Sequence, residues 1–142
     1  MTDHVAHAET EISASPQQVW DAMTDPEAIS RFMFGSKVET DWEEGSPITW
    51  SGEYDGRPFQ DKGEILEVVE NQRLRMTHFS PLSGKDDVPE NHHTLDYRLE
   101  DRGASTRLTL DQDGNDSAEQ AEQFAGNWQM MLDQLKKYVE AD

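Results

Sequence analysis

The 142 residues suffice for one domain with a hydrophobic core and are too few for two. Thirty acidic residues against twelve basic ones give a formal net charge of -18. A surface of this sign repels the phosphates of nucleic acids and the head groups of anionic membranes, so we expect neither as a partner. The absence of cysteine excludes disulfides and thiolate metal sites.

The N-terminal residues 1–11 lack the basic start and the apolar run of a signal peptide, and no segment has membrane-spanning length. We therefore expect a cytoplasmic protein with a single domain over residues 1–142, of which residues 1–7 are frayed. The acidic residues are scattered and only five basic residues are lysine, which indicates adaptation to high salt. Because salt screens self-repulsion, we expect stability to rise with salt concentration.

The first part of the chain predicts a strand and two short helices. A loosely alternating segment, residues 5–13, indicates the strand. Ser15 and Pro16 predict a helix start, because serine caps the first turn and proline is tolerated at the first helical position. Asp25 and Pro26 repeat this signal, so a second short helix follows a break in the first.

The middle of the chain alternates between apolar and polar residues, as strands do. Five segments show this period: residues 48–54, 59–70, 73–80, 92–100 and 105–114. Short turns separate most of them, and residues 81–91 form a longer loop rich in proline, glycine and charge. The succession of strands and turns predicts an antiparallel sheet.

The last segment predicts a long helix. Ser117 is its expected N-cap, and Gln120 completes a capping box. Apolar residues then recur at helical spacing from Ala121 to Val139. The order of elements predicts an α+β fold, with a curved antiparallel sheet wrapped around this helix.

Four segments carry a family resemblance: ISASPQQVWDAMTDPEAISRF, GEILEVVENQRLRMTHF, HTLDYRLEDRGASTRLTLDQDG and NWQMMLDQLKKYV. They resemble the START-like, or SRPBCC, superfamily, and within it the group related to the C-terminal domain of the activator of heat shock protein 90 ATPase. The resemblance implies the helix-grip fold of the birch pollen allergen, in which a sheet of about seven strands grips the long helix over a cavity. Lipid carriers, cyclases, hydrolases and chaperone regulators share this fold, so the resemblance leaves the function open.

The helix-grip fold offers a reason for the interrupted helix near the N-terminus. Its two short helices form a V that closes one end of the sheet, and the break at Asp25 and Pro26 would make that V. Trp20, Phe32 and Phe34 are then predicted to form the apolar end wall of the interior.

Alternation along the strands predicts which side chains face the helix. If the turns are tight, Met76 lies opposite Leu95, and Leu95 lies opposite Leu110. The next row is polar and crosses three strands through His78, His93 and Gln112, with side chains about 5 Å apart. Apolar walls with a few polar groups are usual for small-molecule sites.

The predicted ligand-binding residues line this interior: Trp20, Phe32, Phe34, Trp50, Met76, His78, His93, Leu95, Tyr97, Leu110, Gln112, Phe124, Trp128 and Met131. Glu64 could extend the polar row, but a bulge in its strand would turn it outward. The same side chains could instead fill a solid core, so an open and a filled interior both remain possible.

No metal site, cofactor or catalytic residue is predicted. Four residues match part of a calcium-loop pattern: Asp111, Asp113, Asn115 and Glu122. However, Asp116 occupies the position that needs glycine, and the preceding element is a strand rather than a helix. His4 and His7 lie in the segment that is expected to fray.

Three functions remain open. The first is a non-catalytic protein, monomer or homodimer, that binds a small apolar or aromatic molecule between the sheet and the C-terminal helix. The second rests on the resemblance and is a co-regulator of the chaperone ATPase, although we expect no additional chaperone-docking domain. The third is a cyclase-like or hydrolase-like enzyme in which His78 and His93 act as acid and base, because histidine titrates near neutrality.

Overall fold

A computed structural model describes residues 4–33, 35–54, 56–80, 86–88, 91–115 and 117–141. Within these ranges the elements are β1 (His4–Ile12), α1 (Pro16–Met23), α2 (Pro26–Phe32), β2 (Lys37–Glu39), β3 (Pro47–Tyr54), β4 (Arg57–Val69), β5 (Arg73–His78), β6 (His93–Asp101), β7 (Thr106–Asn115) and α3 (Ala118–Glu140). The strands form one antiparallel sheet in the order β1-β7-β6-β5-β4-β3-β2. The predicted helix-grip fold is confirmed.

The two short helices begin where the sequence predicts. The Ser15 hydroxyl accepts a hydrogen bond from the Gln18 backbone N–H, and the Gln18 side chain accepts one from the Ser15 backbone N–H. At α2, the Asp25 carboxylate accepts a hydrogen bond of 3.1 Å from the Glu27 backbone N–H. Each cap satisfies backbone donors that a helix start leaves without partners.

Helix α3 is buried unevenly along its length. Ser117 caps it by accepting a hydrogen bond of 3.1 Å from the Gln120 backbone N–H. Met131, Leu132 and Leu135 in its second half are buried, whereas Phe124 near its start is only half-buried. The second half therefore seals against the sheet, while the first half leaves space below it. In the described part of the chain, no helix is both long enough and apolar enough to cross a membrane.

The register between strands agrees with the prediction at β5–β6 and differs at β6–β7. Met76 pairs with Leu95, and His78 pairs with His93, as predicted. However, Leu95 pairs with Gln112 rather than with Leu110. The predicted row of His78, His93 and Gln112 is therefore wrong, since Gln112 lies one inward row away from the two histidines.

The cause of the register error is the turn between β6 and β7. The prediction assumed a tight turn at residues 101–103, but the ladder closes at the pair Asp101 and Thr106. Residues 102–105 form the loop, in which the Arg102 N–H donates to the Ser105 carbonyl at 2.9 Å. The longer loop shifts the ladder by two residues, which preserves the inward face and changes every partner.

The expectation that residues 1–7 are frayed is wrong for residues 4–7. They belong to β1, where His4 pairs with Asn115 of β7. The Asn115 side-chain amide donates to the His4 carbonyl at 2.9 Å, and His7 Nδ1 lies 2.6 Å from an Asp111 carboxylate oxygen. Main-chain pairing with a central strand holds the segment in place.

Strand β4 contains the bulge that the sequence suggested. Its register against β5 shifts between Ile65 and Glu67, and Glu64 is exposed on the outer face of the sheet. Gly63 meets β5 so closely that a Cβ there would lie 1.8 Å from the Thr77 carbonyl oxygen. Only glycine permits this close approach of the two backbones.

Candidate functional site

A cavity of about 250 Å³ lies between the sheet and the first half of α3. Strand residues form its floor: Trp50, Phe59, Asp61, His78, Leu95 and Tyr97. Residues of α3 and of the segment after α2 form its roof and rim: Phe124, Asn127, Trp128, Met131, Met33 and Ser36. Asn127 is exposed, so the cavity reaches the surface. For scale, an engineered apolar cavity of about 150 Å³ in another protein binds benzene.

The interior beyond the cavity is closed. A gap of about 20 Å³, roughly the room for one water molecule, lies at the end of the sheet that α1 and α2 cover. Its walls include Met23, Ile29, Phe32, Ile48, Leu74, Met76 and Leu135. Met33, Trp50 and Tyr97 border both spaces and therefore divide the interior. We call the two parts the open half and the sealed half.

An aspartate and a histidine form a hydrogen-bonded pair in the floor of the cavity. His78 Nε2 donates to Asp61 Oδ2 at 2.9 Å, and the two side chains are only 17% and 16% exposed. The Trp50 ring lies edge-on to the imidazole, with 5.1 Å between ring centroids. Asp61 is also the direct cross-strand partner of Trp50, so the three side chains form one continuous patch.

Two polar atoms of this pair lack partners. Asp61 Oδ1 and His78 Nδ1 are shielded from water, and neither has a hydrogen bond within the described residues. In the neutral imidazole with its proton on Nε2, His78 Nδ1 presents a lone pair, and both atoms are then acceptors. A buried acceptor without a donor is unfavourable, and such groups in folded proteins need an explanation.

A hydrogen bond from α3 to β7 fixes the wall beside the cavity. The Trp128 indole N–H donates to Gln112 Oε1, and Gln112 is only 1% exposed. Gln112 Nε2 is buried and has no partner among the described residues. In the floor, burial raises the pKa of the Tyr97 phenol above its usual value.

Half of the residues predicted from the sequence line the open half: Trp50, His78, Leu95, Tyr97, Phe124, Trp128 and Met131. Phe32 and Met76 border the sealed gap, and Trp20 and Leu110 are buried in the core. The His93 Nδ1–H donates to the Asp113 carbonyl at 2.7 Å, and the His93 ring lies 5.8 Å from that of Phe124. Phe34 lies outside the described residues.

The sequence prediction missed Asp61, the one carboxylate among the described lining residues. The sequence does contain a signal for the position of Asp61, because Asp55-Gly56 is a favoured two-residue hairpin turn. A tight turn there places Tyr54 opposite Arg57 and Trp50 opposite Asp61, the register that the structure has. The predicted strands, residues 48–54 and 59–70, leave residues 55–58 as the turn, and this longer turn hid the pairing.

The calcium-loop residues do not form a loop. Asp111, Asp113 and Asn115 belong to β7, and the Asp113 carboxylate accepts a hydrogen bond of 2.6 Å from the Thr94 backbone N–H. Within the described ranges, no group of three or more histidine, aspartate or glutamate side chains is placed to hold a metal ion.

The family model described as "Activator of Hsp90 ATPase homolog 1-like protein" matches residues 13–140. The chain belongs to this family. The START-like resemblance of the sequence is thereby confirmed. No curated protein sequence matches the chain.

Solved structures support the same fold. A protein from Cytophaga hutchinsonii, solved in solution, is 40% identical, with a TM-score of 0.86 over 99% of this chain and 97% of that one. The Aha1 dimer from Colwellia psychrerythraea is 17% identical, with a TM-score of 0.74 over 99% and 97% of the two chains. Ara h 8.0201 is 13% identical, with a TM-score of 0.76 over 99% and 100%. The last two likenesses show the fold alone.

Proposed function

We propose that this protein binds one small, largely apolar molecule in the open half of its interior. The observation that supports the proposal is the cavity of about 250 Å³, whose walls are mostly aromatic and aliphatic. Known ligand pockets combine such walls with a few polar groups that orient the ligand, and here Asp61 and His78 are those groups. The exposed Asn127 at the rim marks the entrance.

The size of the cavity limits the ligand and its affinity. A molecule of about a dozen non-hydrogen atoms, such as a substituted naphthalene, fits the volume better than a long acyl chain does. Small ligands gain at most about 1.5 kcal/mol per non-hydrogen atom, and larger ones far less. We therefore expect dissociation constants of roughly micromolar size.

A neutral, naphthalene-based fluorescent probe tests the proposal. It should bind at one site per chain and be displaced by uncharged aromatic alcohols. Asn127→Trp places an indole at the entrance and should abolish binding without disturbing the buried core, because Asn127 is exposed. Met130→Trp is the matched control, since Met130 is 56% exposed on the same helix and does not line the cavity.

Two results would overturn the proposal. One is a probe that does not bind the unmodified protein at all. The other is a probe that binds the Asn127→Trp variant as well as it binds the Met130→Trp variant. In either case the open half would not be a ligand-binding site, and binding of a protein partner would become the better hypothesis for the function.

The description of the family favours a second candidate, co-regulation of the heat shock protein 90 ATPase. The test is the hydrolysis rate of the purified chaperone with and without this protein. Stimulation that is equal for the unmodified protein and for Asn127→Trp would support the candidate and separate it from ligand binding. An unchanged rate at saturating protein would eliminate it.

A further inference from the structure

The lining of the open half is unbalanced in charge. Among the described residues that line it, Asp61 contributes a carboxylate and none is a lysine or an arginine. Of these described residues, His78 is the one whose side chain could carry a positive charge. The chain as a whole has a formal net charge of -18, so the surroundings of the cavity also favour cations over anions.

The hydrogen-bonding groups of Asp61 and His78 also favour a cationic ligand over an anionic one. Asp61 Oδ1 lacks a donor, and so does Nδ1 of a neutral His78. A ligand carboxylate or sulfonate brings only acceptors, and beside Asp61 it would meet no lysine or arginine among the described lining residues. A ligand N–H group that reached Asp61 Oδ1 would supply the missing donor, and a positive charge would strengthen that hydrogen bond.

Aromatic rings line the same cavity as the Asp61 carboxylate and also favour a cationic ligand. Trp50 lies directly across the strand pair from Asp61, on the same face of the sheet. Tyr97, Phe124 and Trp128 complete the walls around them. The faces of aromatic rings attract cations, and the attraction grows when both partners are shielded from water.

We infer that the open half selects organic cations: small apolar molecules that carry one protonated nitrogen. This inference rests on the proposed function and names the ligand class for the same cavity. The apolar body of the ligand contacts Leu95, Phe124 and Met131, while its ammonium group lies against Asp61 and Trp50. Carboxylates with the same apolar body are excluded by repulsion from Asp61.

Three probes with one shared body test the inference: 1-naphthylmethylamine, 1-naphthylmethanol and 1-naphthoate. At neutral pH the first is a cation, the second is neutral and the third is an anion. Titration calorimetry should show that the amine binds about tenfold more tightly than the alcohol. The naphthoate should bind more weakly than the alcohol or not at all.

Two variants locate the source of the preference. Asp61→Asn removes the charge and keeps an acceptor for His78, so the amine should lose its advantage over the alcohol. Glu64→Gln is the matched control, because Glu64 lies on the same strand but is exposed on the outer face. It also removes one negative charge and should leave the preference intact.

The results with the three probes and the two variants decide whether the inference and the proposed function hold. A preference for the amine that Asp61→Asn removes and Glu64→Gln preserves supports the inference. Equal binding of amine and alcohol, tighter binding of naphthoate, or a preference that survives in Asp61→Asn overturns it and leaves the proposed function standing. If none of the three probes binds, the proposed function fails together with the inference.

Discussion

The sealed and the open half of the interior share one sheet and one helix, yet they differ in how α3 meets the sheet. In the sealed half, α1 and α2 close the end, and Leu132 and Leu135 are fully buried. In the open half, none of the helices in the described ranges lies under the start of α3, and Phe124 and Trp128 are only half-buried. The same fold therefore contains a packed core and a cavity.

The difference shows which elements produce each part. A curved sheet and a straight helix touch closely over a limited length, and additional elements must fill the remainder. Here the V of α1 and α2 fills one end only, which leaves about 250 Å³ at the other. Stability is expected to depend on the sealed half and ligand specificity on the open half.

Leu135→Ala should have the largest effect on stability. Leu135 is 0% exposed and borders the sealed half, where the surrounding side chains have little room to collapse. We expect a loss of about 3 kcal/mol in the free energy of unfolding, measured by urea denaturation. A loss below about 1 kcal/mol would show that the sealed half is loosely packed and would remove the contrast between the halves.

Trp128→Phe should cost about 1–2 kcal/mol, because it removes the indole donor and leaves Gln112 Oε1 buried without a partner. A double-mutant cycle with Gln112→Met separates this cost from lost packing. In the Gln112→Met background, Trp128→Phe should cost markedly less than it does alone. Equal costs in the two backgrounds would mean that the hydrogen bond contributes nothing to stability.

Phe124→Ala should cost about 1 kcal/mol or less, since Phe124 is half-buried and already borders empty space. Its effect on ligand binding should be larger than its effect on stability, because the ring forms part of the roof of the cavity. Urea denaturation and probe titration measure the two effects on one sample. A loss comparable with that of Leu135→Ala would show that the open half is packed as tightly as the sealed half.

The sequence predicted those features of the fold that depend on local signals. The caps at Ser15 and Asp25 gave the starts of the short helices, and alternation gave the inward faces of the strands. Strand β2 was missed because it has only three residues, too few for alternation to be visible. The β6–β7 register was missed because strand parity is unchanged when a loop is two residues longer.

The candidate site was less predictable than the fold. Strand parity identifies inward side chains such as Met76 and Leu95, but it does not tell which of them meet a neighbour and which border a void. That depends on the height of α3 above the sheet, which is set by side chains far apart in the sequence. The cytoplasmic location and the adaptation to high salt remain predictions.

The smallest predicted effect on stability comes from Asp96, on the outer side of the sheet behind the floor of the open half. Asp96 lies between Leu95 and Tyr97 on β6, and its carboxylate faces the outer side of the sheet. Arg73 donates to it at 3.0 and 2.8 Å, and Arg98 donates at 3.1 Å. Partial burial acts to raise the pKa of Asp96, but the hydrogen bonds from the two arginines outweigh it and hold the pKa below its usual value.

The sign of the pH effect follows from this direction. Because the pKa of Asp96 is lower in the folded than in the unfolded chain, its ionised form stabilises the fold above the ordinary carboxyl pKa. That contribution is lost as the pH falls through the lowered pKa. Asp96→Asn should therefore be less stable than the unmodified protein at neutral pH, and the difference should shrink in acid.

Urea denaturation over a range of pH measures this difference, with Glu64→Gln as the control for net charge. Amide hydrogen exchange adds the regional comparison. Leu95 and Tyr97 form part of the floor of the open half. In Asp96→Asn at neutral pH, amide exchange should accelerate more at these two residues than at Leu132 and Leu135. Equal acceleration at all four amides would show that the two halves unfold as one unit, and their difference would then be one of packing alone.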